Sequence, residues 1–154
     1  MNKKENIRKA TLEDVKDIQK LINFYASKNL MLPRSLTEIY ENIRDFWIIR
    51  RDSGLIACCA LHPLWDDMAE IKSLAVAGDY QKEGIASSLV RRCLDEAVEL
   101  KARQVFALTY SPGFFEKMEF VRGDKEKMPH KIWSECIKCP HFPDCDEVLL
   151  VRSL

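Results

Sequence analysis

The amino-acid sequence predicts an α/β (α+β) protein in which a mixed, mostly antiparallel sheet carries helices on both faces. Three observations lead there. Three strand-like runs follow one another across turn signals in the middle of the chain. The strongest helical stripe, Gly84 to Leu100, then lies between two strand-like runs, the arrangement of a β-helix-β crossover. Two further helical stripes precede the first of these runs.

Taken in order, Ile7 to Lys9 could form a short first strand. Thr11 and Asp14 have the spacing of a capping box, and Val15, Ile18, Leu21, Ile22 and Tyr25 then recur at helical spacing. Asn29 is the expected stop. A second helix follows Pro33, with Ser35 as N-cap, Glu38 as its reciprocal partner, and Leu36, Ile39, Tyr40 and Ile43 as the apolar stripe. The strand-like runs are Phe46–Arg50, Leu55–Leu61 and Met68–Val76. Asp52-Ser53-Gly54 separates the first two as a hairpin turn, and Pro63 to Asp67 separates the second and third. After the helix at 84–100 come a strand at Gln104–Leu108, a short helix at Pro112–Met118 and a last strand at Glu147–Val151.

A length of 154 residues suits one domain spanning 1–154, and no repeat or linker divides it. Lys and Arg total 24 and so do Asp and Glu. That balance argues against a nucleic-acid coat or a membrane-surface protein. Met1 to Ala10 is polar and basic with no apolar core behind it, unlike a signal peptide, and the apolar run Leu55–Leu61 is too short for a membrane span. The chain therefore reads as cytoplasmic, where cysteines are not a disulfide framework by default.

Chemistry concentrates in Glu70-Ile71-Lys72-Ser73-Leu74-Ala75-Val76, a turn, and Gln81-Lys82-Glu83-Gly84-Ile85-Ala86. A strand ends, the chain turns, and a helix begins beside a glycine. First-turn N–H groups have no partner within a helix, and the helix dipole favours an anion there. A pyrophosphate suits such an end. Gly84 would admit its close approach, Ala86 and Ser87 are small, and Lys82 could add charge. One glycine at a helix start is equally what a flexible helix entry requires, so the residues alone leave both readings open.

The segments SLAVAGDYQKEGIASSLV and FALTYSPGFFEKMEF resemble the GCN5-related N-acetyltransferase (GNAT) family. In that family Gln/Arg-x-x-Gly-x-Gly/Ala cradles the pyrophosphate of coenzyme A. Gln81-Lys82-Glu83-Gly84-Ile85-Ala86 matches in order and spacing. The resemblance implies acetyl-CoA as co-substrate and a strand, through Leu74, Ala75 and Val76, whose backbone pairs with the pantetheine arm. It also implies a possible homodimer. LPRSLTEIYENIRDF, AEIKSLAV, TYSPGFFEKMEF and PHKIWSECIKCPHFPDCDE carry a narrower resemblance, to the short stand-alone N-acetylglutamate synthases of bacteria. That resemblance implies a small amino acid, glutamate, as acceptor, and a place in arginine synthesis.

Amide formation needs a neutral amine, which calls for a base. Glu70 is the candidate, directly or through a water, and a solvated charge on a strand face is the plainer alternative. Side chains at 70, 72, 74 and 76 share one face unless a bulge intervenes. Backbone N–H groups near Leu74 could stabilise the charge that develops on the thioester oxygen. Many family members protonate the leaving thiolate with a tyrosine. Here Phe115 occupies that slot, and Glu119 stands where glycine is usual. Ser111 is the first substitute and Tyr110 the second, and a turn residue and a packed aromatic are the equally fitting structural readings of the two. Two substrate carboxylates would call for fixed cations: Arg34 first, then Lys72, then Lys131.

The segment 129–147 is rich in cysteine. Cys136, Cys139 and Cys145, with His130 and His141 nearby, are residues that suit Zn²⁺, yet the fourth ligand is ambiguous and free thiols on a loop fit as well. Adjacent Cys58 and Cys59 should face opposite sides of a strand, and Cys93 belongs to the apolar face of the long helix.

Overall fold

The computed structural model describes residues 6–125 and 147–154. Strands β1 (Ile7–Lys9), β2 (Phe46–Arg51), β3 (Gly54–Trp65), β4 (Met68–Val76), β5 (Gln104–Thr109), β6 (Val121–Arg122) and β7 (Val148–Ser153) form one sheet in the order β1-β2-β3-β4-β5-β7-β6. Among the described residues the helices are α1 (Val15–Ala26), α2 (Leu36–Glu41), α3 (Ile85–Glu99) and α4 (Pro112–Glu116), with 3-10 turns at Leu12–Asp14, Ile43–Asp45 and Gly78–Tyr80. Among the described strands only β4 and β5 pair in parallel, and α3 is the crossover between them.

Alternation along β2 and β3 divides the core. Phe46, Ile48, Cys58 and Ala60 face one side, with Val15, Ile18 and Ile22 of α1 and Ile39 of α2. Trp47, Ile49, Cys59 and Leu61 face the other, under Ile85, Leu89, Val90, Cys93 and Leu94 of α3. The expected arrangement, with helices on both faces, is therefore the observed one. Each fully buried Ile or Leu contributes roughly 1.5–3 kcal/mol. Cys58 and Cys59 do point to opposite faces, and desolvation pushes the Cys58 thiol up to about 12. The Cys59 and Cys93 sulfurs lie 3.6 Å apart within the α3 core. Cys59 is raised as well, by its hydrogen bond with Cys93 and by burial.

Both expected capping boxes are present, at Thr11/Asp14 and Ser35/Glu38. Asn29 ends α1 in the left-handed region, at φ 59°. Lys101 (φ 67°) and Glu119 (φ 69°) do the same after α3 and α4. In all three cases the next amide donates five residues back: Leu30 to Tyr25, Ala102 to Ala97 and Phe120 to Phe115.

Two expectations need correction. Pro63 does not lie in a loop, because β3 continues to Trp65 and pairs Pro63 with Ala69. The β2 ladder has already ended at Ala60, so this stretch of β3 has a neighbour on one side only, the setting in which a strand tolerates proline. The second correction concerns β4. Cys58 and Ala60 are two residues apart, yet their partners Ala75 and Lys72 are three apart. The extra residue is a bulge at Ser73, whose φ is 56°. Residues 70, 72, 74 and 76 therefore do not share a face. The two-residue strand β6 was not anticipated.

Asp14 ties the first elements together and is 2% exposed. Its carboxylate accepts from Arg8 Nη1 (2.9 Å) and Nη2 (3.2 Å), from Arg50 Nε (2.8 Å) and from the Thr11 amide (2.8 Å). Burial alone would raise its pKa, but these donors overcome that and hold it well below the ordinary 3.8. A pKa lower in the folded than in the unfolded chain means stability that is fully present above 3.8 and lost progressively as pH falls from there through the lower folded value. Asp14→Asn should cost about 2 kcal/mol at neutral pH. Denaturant titrations at several pH values should show the gap to wild type closing in acid.

Candidate active site

The bulge at Ser73 sets the geometry of the site. Ahead of it, Ala69 and Ile71 pack under α3; beyond it, Leu74 and Val76 take over that side. Ala75 packs against α1 instead. Glu70 and Lys72 alternate with Ala69 and Ile71, so they face the α1 side. The bulge also ends the parallel ladder. β4 pairs with β5 from Met68↔Gln104 to Ile71↔Ala107 and no further, and Ser73 and Leu74 have no register partner on β3 either. Past that point the two strands part.

A cavity of about 440 Å³ occupies the gap. Glu70, Lys72, Ser73, Leu74 and Val76 line it from β4, and Leu108, Thr109, Tyr110 and Ser111 from β5 and the loop after it. Gln81 and Ala86 close the α3 end. Leu30, Met31, Leu32 and Arg34 come from the loop between α1 and α2. Residues far apart in sequence and picked on separate grounds, Arg34, Glu70, Lys72, Tyr110 and Ser111, thus share one wall system. Phe114, Phe115 and Glu147 line it too.

Glu70 is 4% exposed, not a solvated strand charge. The Arg34 backbone is held at two points: its amide donates to Asn23 Oδ1 (3.1 Å) and its carbonyl accepts from Gln19 Nε2 (3.2 Å). Its Nη1 meets Glu38 Oε2 at 3.3 Å, while its buried Nε has no hydrogen-bond partner among the described residues. Phe115 is buried edge-to-face against Phe114 and Phe120, so the usual tyrosine slot is a packing position here. Ser111 caps α4 without a side-chain bond to the helix. Its amide donates to Thr109 Oγ1 at 2.9 Å.

Not every expected contact residue reaches the cavity. Glu83 pairs with Arg51 at 3.2 Å, and the Ile85 side chain is core. Ala75 faces α1, and Lys82 and Ser87 do not line the cavity. Gln81 braces the turn, its Nε2 donating to the Val76 carbonyl (3.1 Å) and to Tyr25 Oη (2.9 Å), while the Tyr25 hydroxyl donates to the same carbonyl at 2.6 Å. Tyr25 entered the sequence reading only as part of an apolar stripe; nothing local marks its hydroxyl. Lys131, Cys136, Cys139, Cys145, His130 and His141 lie outside the described residues. Among those that are described, no group of three or more His, Cys, Asp or Glu side chains could hold a metal, and no helix is long and apolar enough to cross a membrane.

The cleft has the features that a long phosphorylated thioester calls for. Gly84 caps α3 in the left-handed region at φ 77°, and the space where a Cβ would sit is open. The helix N-terminus is thereby bare toward an anion. The β4 backbone beyond the bulge offers hydrogen bonds to an extended arm, and Leu74, Ile71, Leu108 and Phe114 supply apolar walls.

Comparison with known proteins agrees with that geometry. The acetyltransferase (GNAT) family matches residues 7–120, and the chain belongs to it, as an acetyltransferase that takes acetyl-CoA as donor. An uncharacterized N-acetyltransferase of Chlorobaculum tepidum is 37% identical over 148 residues, 96% of each chain. The amino-acid acetyltransferase of Mycobacterium tuberculosis is 31% identical over 132 residues, 84% of this chain and 75% of that one. Among solved structures, N-acetylglutamate synthase from Neisseria gonorrhoeae, complexed with coenzyme A and N-acetyl-glutamate, superposes with a TM-score of 0.90 at 25% identity. This chain is covered completely but spans only 36% of that synthase.

Gly84→Ala separates the demands of backbone and ligand. The new methyl meets no protein atom, so the folding cost should be only the left-handed strain, about 1–2 kcal/mol. Calorimetric titration should show a clearly larger loss in coenzyme A affinity than thermal melts show in stability.

Proposed function

We propose that the protein acetylates the α-amine of an amino acid, with L-glutamate as the first candidate. The observation that carries this reading is the buried Glu70 carboxylate on the same cavity as Arg34, whose buried Nε has no partner among the described residues. A carboxylate base beside a fixed guanidinium suits a substrate that is both an amine and a carboxylate. The relatives named amino-acid acetyltransferase, and the synthase with which the chain superposes, support the same acceptor class.

Acetyl-CoA supplies an acyl group activated as a thioester. Glu70, directly or through a water, takes the proton from the acceptor ammonium. Arg34 and Lys72 hold the acceptor's carboxylates, Arg34 with a planar fork that suits two oxygens at once. The Leu74 amide, in the bulged segment, is the donor for charge developing on the carbonyl oxygen. Ser111 is the first proton donor to the departing sulfur and Tyr110 the second.

One observation favours a second reading. Glu147 also lines the cavity, so two carboxylates balance two cations there, and an acceptor with a further amino group would suit that balance.

Thiol release from acetyl-CoA, measured across the standard amino acids, spermidine and an N-terminal peptide, distinguishes them. Turnover with glutamate well above the rest supports the proposal. Release with another amine replaces the acceptor, and silence while acetyl-CoA still binds removes the catalytic reading. Glu70→Gln should lower kcat by about 10²–10⁴ and leave coenzyme A affinity unchanged. Arg34→Ala should raise KM for glutamate about tenfold or more with little effect on KM for acetyl-CoA, the size expected when a charged hydrogen bond is lost.

A further inference from the structure

Acetyl transfer from a thioester to an ammonium group releases a proton. The new C–N bond forms as the C–S bond breaks, and the nitrogen loses two protons in all. One ends on the coenzyme sulfur and the other must reach solvent. Glu70 is well placed to receive it but, at 4% exposure, poorly placed to pass it on.

His62 lies directly opposite Glu70 in the β3–β4 ladder. Opposed residues of an antiparallel pair point to the same face, with Cβ atoms about 4.5–5.5 Å apart. Pairing on either side, Leu61↔Ile71 and Pro63↔Ala69, is regular, so the bulge does not disturb this register. The imidazole is anchored from its far side, its Nδ1 lying 2.6 Å from Asp45 Oδ2 on the 3-10 turn before β2. With Nδ1–H donated to that carboxylate, Nε2 is left as the acceptor. The His62 side chain is 28% exposed, so a ring opposite a buried carboxylate is also open to water. Asp45 on the turn, and Glu70 and Lys72 on β4, are charged groups that the fold brings to this end of the face, and Arg34 and Glu147 share the cavity with Glu70 and Lys72.

We infer that His62, oriented by Asp45, is a positioning and proton-relay residue for Glu70: it returns the proton that Glu70 takes from the acceptor to solvent. This rests on the acetyltransferase reading of Glu70. His62 does not line the cavity and need not touch either substrate.

The test has two arms. His62→Gln and Asp45→Asn are assayed with whichever amine the wild-type enzyme acetylates fastest. Expected is a fall in kcat of about tenfold or more for His62→Gln, with KM for acetyl-CoA unchanged and the rising limb of the kcat–pH profile displaced. A kcat within about twofold of wild type and an unmoved pH profile would overturn the inference. The second arm needs no turnover: the His62 ring is titrated by NMR in wild type and in Glu70→Gln. Removing the carboxylate should lower the His62 midpoint by about half a unit or more, and an unchanged midpoint sinks the coupling. If no amine is acetylated, the functional reading fails, and the titration alone judges whether His62 and Glu70 communicate.

Discussion

One extra residue in β4 governs this molecule. With Ser73 held at φ 56°, the strand gains a residue between Lys72 and Ala75 that its partner does not match. A regular strand would continue its parallel ladder along β5, and backbone hydrogen bonds would close the space where the cavity lies. The bulge costs about 1–2 kcal/mol in left-handed backbone strain, plus the ladder bonds forgone. It persists because both flanks are pinned: Ala69 and Ile71 before it, and Leu74 and Val76 after it, are all packed under α3. The defect is held in place by the core around it.

The same bulge separates the two jobs of the site. Glu70 and Lys72 face the α1 side, where the loop carrying Arg34 arrives; Leu74 and Val76 turn toward α3, where Gly84 caps the helix. The outer end of this passage is fixed by Tyr25, Gln81 and the Val76 carbonyl, three groups from α1, the turn before α3 and β4. On the far edge, Asp14 binds β1, β2 and the start of α1 through two arginines. The sheet is thus braced at both ends of α1, and α1 in turn holds Arg34 through Gln19 and Asn23.

What could be read from the sequence follows this division. Capping boxes and the Gln81–Ala86 motif are local, so they were visible, as were helices on both faces of the sheet and the opposite facing of Cys58 and Cys59. Glu70 could be chosen for its place on the strand, yet its burial could not, because that depends on β3 and β5 on either side. The bulge does leave a trace, in apolar positions that step from 69 and 71 to 74 and 76, but a single slip of period is faint beside a run of nine strand-like residues. Lys101 and Glu119 terminate helices in a conformation that usually belongs to glycine, and nothing in their chemistry announces it. Pro63 looked like a loop residue because the end of the β2 ladder at Ala60 is a fact of tertiary pairing. His62 was passed over for the same reason: its significance lies in facing Glu70, eight positions on.

The two halves of the site therefore differ in kind. The donor half is built largely from backbone: a helix end bared by Gly84 and a strand edge freed by the bulge. Such groups are the same in every chain that folds this way, which is why a short motif is enough to mark them. The proposed acceptor half is built from side chains, Arg34, Lys72 and Glu70, which line one cavity from elements that are remote in sequence. Those can be exchanged without disturbing helix end or bulge. Acetyl-CoA use thus goes with the family, whereas in the proposed reading the choice of amine rests with the loop between α1 and α2 and the charges it meets on β4.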